Sequence, residues 1–434
     1  MLRLDNHGYS PTLLDKIVTA GAELKSFRLA ARMLAKLAEL PICERHVGRL
    51  TEAIGAELQA RRDQQVTTLP LQTLRDQQAG AAPAVVAVAV DGGRLHTRAE
   101  GQGRGVHEPH WKEDKIACLL TLASPEHATD PHPEVPACFL HQPRVARLVQ
   151  EISHQRVATE EALVLPAAAP RPAADAAAPP APPGVAVAAP DGAPAAGAAP
   201  EATAWQPERR VRTCVATLQD SDAFGKLVAA EAYQRHFYGA ARRAFVADGQ
   251  KYNWALHQRH FADFVPIADF IHVLSYVYAA AYAVAGSGGW TTFERWLRAC
   301  WQGQVPVVLD EVAGWLQQQD APVAGAPPPP ATDPREVARR SLGYLRNNAS
   351  RMNYPRYRCL GLPCVSAWME SLVKEFNYRV KGSEKFWNDG HNAEAILQAR
   401  AAVLSDDDRL SRHIAERAGS PFRAYRRRPA TAAS

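Results

Sequence analysis

The sequence predicts an α/β fold in which helical segments flank a block of strands. Apolar residues recur at helical spacing over residues 11–65. Three apolar runs, at 84–90, 244–247 and 264–268, each stop at an Asp, as buried strands do where a chain leaves a sheet. Helical periodicity then fills most of the chain to residue 348, with Trp290, Trp296, Trp301 and Trp315 as core candidates.

The opening helices carry Leu13, Leu14, Ile17 and Val18, then Phe27, Leu29, Ala30, Met33, Leu34 and Leu37 on their apolar faces. Leu40-Pro41-Ile42 breaks the pattern, and a third helix from Cys43 turns Val47 and Leu50 inward while Glu44, Arg45, His46 and Arg49 stay on its polar face. That order builds either a helix-turn-helix, with Arg45 and Arg49 against DNA, or a plain three-helix packing module.

The run at 84–90 reads as a fully buried strand. Asp91-Gly92-Gly93 after it reads as a tight turn, 94–98 as its partner and 115–122 as a third strand. Gly101, Gly103 and Gly105 lie in a loop that lacks the following helix and Lys of a phosphate loop. Residues 166–200 are almost entirely Ala, Pro and Gly, too poor in branched and aromatic side chains to offset the entropy of ordering, and a shorter tract at 321–334 repeats the pattern. Beyond the first tract the sequence predicts a helix over 222–239, a strand over 244–247, a helix over 252–261, a strand over 264–268 and a last long helix over 365–380.

The bulk properties bound the function loosely. The chain has 434 residues, enough for two or three domains, with a net charge of +5. That balance is compatible with nucleic acid without requiring it, and Arg426, Arg427 and Arg428 concentrate charge in a basic tail. Seven dispersed cysteines with no CxxC pair indicate reduced thiols and a cytoplasmic setting. No secretory signal opens the sequence, and the apolar stretch at 264–286 contains Asp269 and His272, which favours a buried helix over a membrane span.

The chemistry lies in three acids. Asp91 and Asp248 each end an apolar strand before a Gly, and Glu370 sits on the late helix. Carboxylates at strand ends point into the crevice beyond a sheet, where a helix can add one more oxygen. Mg²⁺ takes such ligands and completes its shell with water and substrate phosphates, and two ions about 4 Å apart can activate a hydroxyl and stabilise the leaving oxygen of a phosphodiester. Singly, each Asp-Gly is an ordinary turn signal and Glu370 an ordinary solvated helix residue.

The stretch LRNNASRMNYPRYRCLGLPCVSAWMESLVKEFNYRVKGSEKFW at 345–387 resembles the C-terminal signature of bacterial insertion-sequence transposases of the ISKra type, relatives of the Mutator-like transposases. The matching features are Arg351-Met352, Tyr354-Pro355, Gly361-Leu362-Pro363, Ser366, Glu370-Ser371, Arg379, Lys381-Gly382 and Trp387, with 391–402 continuing the match. Upstream, VAVDGGR at 88–94 and FVADGQKYNW at 245–254 are similar to the strands that carry the family's first and second Asp. Asp269-Phe270-Ile271-His272 is similar to its Asp-x-x-His element, and the helices around Ser26-Phe27 to the segment before its core. The resemblance covers most of the chain outside the Ala/Pro tracts.

It implies an RNase H-like mixed sheet with an all-helical insertion, preceded by a helix-turn-helix-like region. The corresponding division is 1–80 DNA-binding helices, 81–157 first strands, 158–207 linker, 208–272 second part of the core, 273–345 insertion, 346–405 catalytic-helix region and 406–434 basic tail. Asp91, Asp248 and Glu370 become the DDE ligands of two Mg²⁺ or Mn²⁺ ions; Asp269 is the rival second ligand, or with His272 a supporting pair. Lys374, Arg379, Lys381 and Lys385 become backbone contacts to DNA. The implied activity is metal-dependent cleavage of element ends and strand transfer by a homo-oligomer on DNA, nucleoid-associated in the cytoplasm and away from membranes. A nuclease or resolvase of the same fold and an inactive DNA-binding relic are the alternatives. The family carries a longer region before the helices, so part of its end-recognition segment is expected to be missing from this sequence.

Overall fold

The computed structural model describes residues 9–74, 81–98, 110–155, 163–170, 206–319, 329–381, 387 and 390–417. The elements in chain order are α1 (Pro11–Glu23), α2 (Phe27–Leu37), α3 (Glu44–Leu74), β1 (Val85–Thr97), β2 (His110–Ala123), α4 (Gln142–Gln155), β3 (Glu208–Thr217), α5 (Ser221–Gln234), β4 (Arg242–Ala247), α6 (Lys251–His260), β5 (Val265–Ala268), α7 (Phe270–Ala285), α8 (Gly289–Trp301), α9 (Val305–Gln317), α10 (Pro334–Asn348), α11 (Tyr354–Cys359), α12 (Ala367–Val380), α13 (Gly390–Leu404) and α14 (Arg409–Glu416). They form two compact units, Met1–Ser124 with Arg209–Ile267 and Val365–Ser434, and Pro125–Glu208 with Ala268–Cys364.

The first unit is built on a mixed five-stranded sheet of order β3-β2-β1-β4-β5. β1 pairs antiparallel with β2 and parallel with β4. A central strand must be apolar on both faces, and residues 85–90 are each at most 3% exposed. The α/β class expected from the sequence is therefore observed.

Two strand assignments need correction. Asp91-Gly92-Gly93 is no turn: β1 runs unbroken to Thr97, with Gly92 opposite Lys115 and Gly93 opposite Asp114 on β2. A Cβ on Gly93 would lie 2.9 Å from Asp114 Oδ1, so this glycine permits close approach inside a strand. Residues 94–98 consequently belong to the first strand, 115–122 to the second, and the third is β3, beyond the Ala/Pro tract. The charged start of β3, Glu208-Arg209-Arg210, masks the β-branched alternation of Val211, Thr213, Val215 and Thr217. The linker expected over 158–207 and the tail beyond residue 417 lie mostly outside the described residues.

Helices α1, α2 and α3 share one apolar core with α13 and α14, including Leu14, Ile17, Val47, Ile54, Ala399, Leu410 and Ile414. Ser10 and Ser26 accept from Leu13 N and Leu29 N and so cap α1 and α2. Buried Glu394 on α13 accepts from Thr217 Oγ1, Leu218 N and Arg62 Nη1, tying α13 to the end of β3 and to α3. Helix α12 packs across β1 and β2.

The elements described in the second unit are helices. Nearly every residue of α7 is buried. The helical stretch Phe270–Trp301 is long and apolar enough to cross a membrane, yet it is mostly covered by protein. Trp296 and Trp301 are fully buried, as expected of core residues, whereas Trp290 and Trp315 are partly exposed.

Candidate active site

The parallel register of β1 and β4 ends at Val90 opposite Ala247. The next residues on the two strands are Asp91 and Asp248. Two acids at one register position of neighbouring parallel strands stand about 4.8 Å apart along the sheet and share a face. Asp248 is 3% exposed, and its Oδ1 accepts from Gln250 N at 3.0 Å and Asn253 Nδ2 at 2.8 Å. Asp91 Oδ1 accepts from Gly92 N at 2.8 Å. Local backbone thus orients both carboxylates, and on β4 it can do so because the chain turns through Gly249, at φ 96°, directly into α6.

Tyr252, on the first turn of α6, senses both acids. Burial pushes its phenol well above the ordinary range, and the negative charges of Asp248, Asp91 and Glu113 push it further. At neutral pH it is a protonated, neutral hydroxyl within electrostatic reach of the acids. Neither Tyr252 nor Glu113 is among the site candidates from the sequence. The signal available for Tyr252 was its place four residues after Asp248, one helical turn on.

Helix α12 brings position 370 to the same part of the sheet. Asn377 Oδ1 lies 3.3 Å from where a Cβ on Gly93 would be, so this point of the helix sits over Gly93. The helix end lies toward Thr97: Trp387 Nε1 donates to the Val380 carbonyl while Trp387 bridges to Thr97. Position 370 is seven residues back from Asn377, hence on the same helix face and about 10 Å along the helix, away from its Thr97 end. The Glu370 side chain itself lies outside the described residues.

The other site candidates are placed as follows. Asp269 belongs to the second unit, where it is fully buried and caps α7, its Oδ1 accepting from Ile271 N at 3.1 Å. His272 is buried one turn along, its Nε2 3.9 Å from Asp269 Oδ2. Arg45, Arg49, Lys374 and Lys381 are exposed. Arg379 is a correction: it is 3% exposed, donates from Nε to the Gly21 carbonyl at 2.8 Å, and lies over the Phe27 ring. Burial lowers its pKa to about 10, and its aromatic and carbonyl surroundings make it a tie between α12 and the first helices rather than a surface cation. Lys385 lies outside the described residues.

Among the described residues no three His, Cys, Asp or Glu side chains form a metal-binding group. Asp91 and Asp248 nonetheless supply the hard carboxylate oxygens that a magnesium-type cation takes. No protein-family model matches the chain, and no curated protein matches it.

Proposed function

We propose that this protein is a DNA transposase with an RNase H-like core, in which Asp91, Asp248 and Glu370 hold divalent metal. The observation that carries the reading is that Asp91 and Asp248 directly follow Val90 and Ala247, the last parallel pair of β1 and β4. The sheet order supports it too, because an RNase H-like core needs an antiparallel run of three strands whose first also pairs in parallel with the fourth. The approach of α12, with position 370 away from its Thr97 end, gives the third acid a route to the same place.

Mg²⁺ or Mn²⁺, in our reading two ions, would supply charge neutralisation and an activated hydroxyl at the phosphodiester. The protein's own contribution is orientation. Asn253 and the Gln250 amide hold Asp248, the Gly92 amide holds Asp91, and Tyr252 offers a neutral donor beside them. Such a site needs no covalent protein intermediate: water cuts at an element end, and the freed 3′ hydroxyl attacks target DNA. Because two ends must be joined, the active species would be an oligomer on DNA, with exposed Arg45, Arg49, Lys374 and Lys381 among its phosphate contacts. The first three helices would recognise element ends in helix-turn-helix fashion.

The test is cleavage and joining of DNA taken from the two flanks of the coding sequence, with Mg²⁺ or Mn²⁺. Joined products identify a transposase. Cleavage without joining identifies a nuclease of the same fold, and metal-independent binding that survives loss of all three acids identifies an inactive relic. Full cleavage by Asp91→Asn or Asp248→Asn sinks the assignment.

A further inference from the structure

Beside the two acids lies a third buried carboxylate that the proposed reaction does not use. Asp114 on β2 is fully buried, faces Gly93, and has no hydrogen-bond partner for either oxygen. Burying a carboxyl without a partner is costly, so such a group calls for an explanation. Its Oδ1 and Oδ2 lie 2.9 and 3.2 Å from the point a Cβ on Gly93 would occupy. Asn377 Oδ1, also buried and unpartnered, lies 3.3 Å from that same point. Two polar groups, one on the sheet and one on α12, therefore converge on space that only a glycine leaves open.

A carboxamide is a donor at one end and an acceptor at the other, and half a turn of the Asn377 amide presents its NH₂ to the carboxylate. When Asp114 is protonated, its O–H can instead donate to Asn377 Oδ1. The two groups can pair in either state. The place of the pair gives it consequence. On β1 the Asp91 side chain shares a face with Gly93, and Asp114 is the diagonal neighbour of Asp91 across the β1–β2 register, where Ile116 is opposite Asp91. On α12, Asn377 shares a face with position 370, two turns away.

We infer that Asp114 and Asn377 form a buried carboxyl–carboxamide clasp, through the gap at Gly93, that sets where α12 lies along β1 and so where position 370 stands relative to Asp91. Asp114 is a positioning residue here and not a metal ligand. The clasp concerns the fold alone; its effect on catalysis rests on the reading proposed above.

The experiment compares hydrogen exchange over Ala367–Val380 in the full chain with Asn377→Asp, Gly93→Ala and the exchanged pair Asp114→Asn/Asn377→Asp. Asn377→Asp sets two carboxyls face to face, and Gly93→Ala drives a methyl between intact partners. Each should lower amide protection of the helix about tenfold, the equivalent of one well-formed hydrogen bond. The exchanged pair again has one carboxyl and one carboxamide and should return protection to near the wild-type level. Wild-type protection in Asn377→Asp, or an exchanged pair no better than that single variant, folded or not, overturns the clasp. Mn²⁺-dependent cleavage by the same proteins then separates the two claims. Protection that is lost and restored while cleavage stays absent even in the wild type leaves the clasp standing and removes the transposase reading. If cleavage follows protection, with a higher Mn²⁺ requirement in Asn377→Asp that the exchange reverses, both stand.

Discussion

In the second unit a half-buried acid meets a buried cation: Asp130 accepts from Arg358 Nε at 2.7 Å and Nη2 at 2.5 Å, and that guanidinium lies 4.1 Å over the Trp301 ring. In the first unit Asp114 is buried with no hydrogen-bond partner, while Asp91 and Asp248 follow the last parallel pair of β1 and β4. The opposite outcomes show in the titration. Burial raises both acids, but the Arg358 bonds and charge hold Asp130 below the ordinary carboxylate range, whereas Asp114 is pushed up to about 6. The second unit thus uses charge to fasten the connection carrying Asp130 to α11 and α8. The first unit instead buries a carboxyl away from any bonded cation, which costs stability when the group is charged.

The largest effect expected from this contrast is functional. Asp91→Asn or Asp248→Asn should lower metal-dependent cleavage at least about a thousandfold, equivalent to about 4 kcal/mol, while thermal stability holds or rises. A variant that loses stability in step with activity would show the acids to be structural, like those of the second unit.

Arg358→Met should do the reverse. It strips a bidentate partner from Asp130 and a stacking partner from Trp301, and urea unfolding should record a loss of about 3–4 kcal/mol. Arg358→Lys should rescue little, since an ammonium cannot make the paired contact. Unchanged unfolding would remove the second half of the comparison.

Asp114 gives the contrast a pH dependence. Its folded pKa, about 6, stands above the ordinary aspartate value of 3.8. Between these values the unfolded chain releases the proton while the folded chain keeps it, so stability falls as pH rises through this window and is level above it. The full drop is about 3 kcal/mol. Asp114→Asn should abolish this part of the slope and raise stability at pH 8 while leaving it unchanged at pH 3, measured by unfolding across pH. An identical slope in the variant would mean that the proton is not held at Asp114.

The smallest effect separates a cap from a ligand. Asp269→Asn keeps a good capping side chain on α7 and should cost only about a few tenths of a kcal/mol, with cleavage retained. If cleavage collapses instead, Asp269 takes the ligand role assigned to Asp248.

Several features were legible before any fold was seen, because they depend on neighbours along the chain. The apolar runs stopping at Asp248 and Asp269 marked strand ends, the run stopping at Asp91 marked the buried half of β1, the helical periodicity marked α1 to α3 and α12, and the three acids of the proposed site were candidates from spacing and resemblance. Three things were decided only by tertiary structure. Asp91-Gly92-Gly93 reads locally as a turn, but β2 on one side and α12 on the other hold it extended, and the glycine there admits Asp114 and Asn377. β3 hid behind its charged first residues and gained its place by pairing beside β2. Arg379 looks like a surface cation in its basic segment, yet the Gly21 carbonyl and the Phe27 ring, more than three hundred residues away in sequence, bury it. Local pattern determines which backbone shape a segment favours. Which polar groups meet, and which buried acid finds no partner, depends on chain segments that only the folded state brings together.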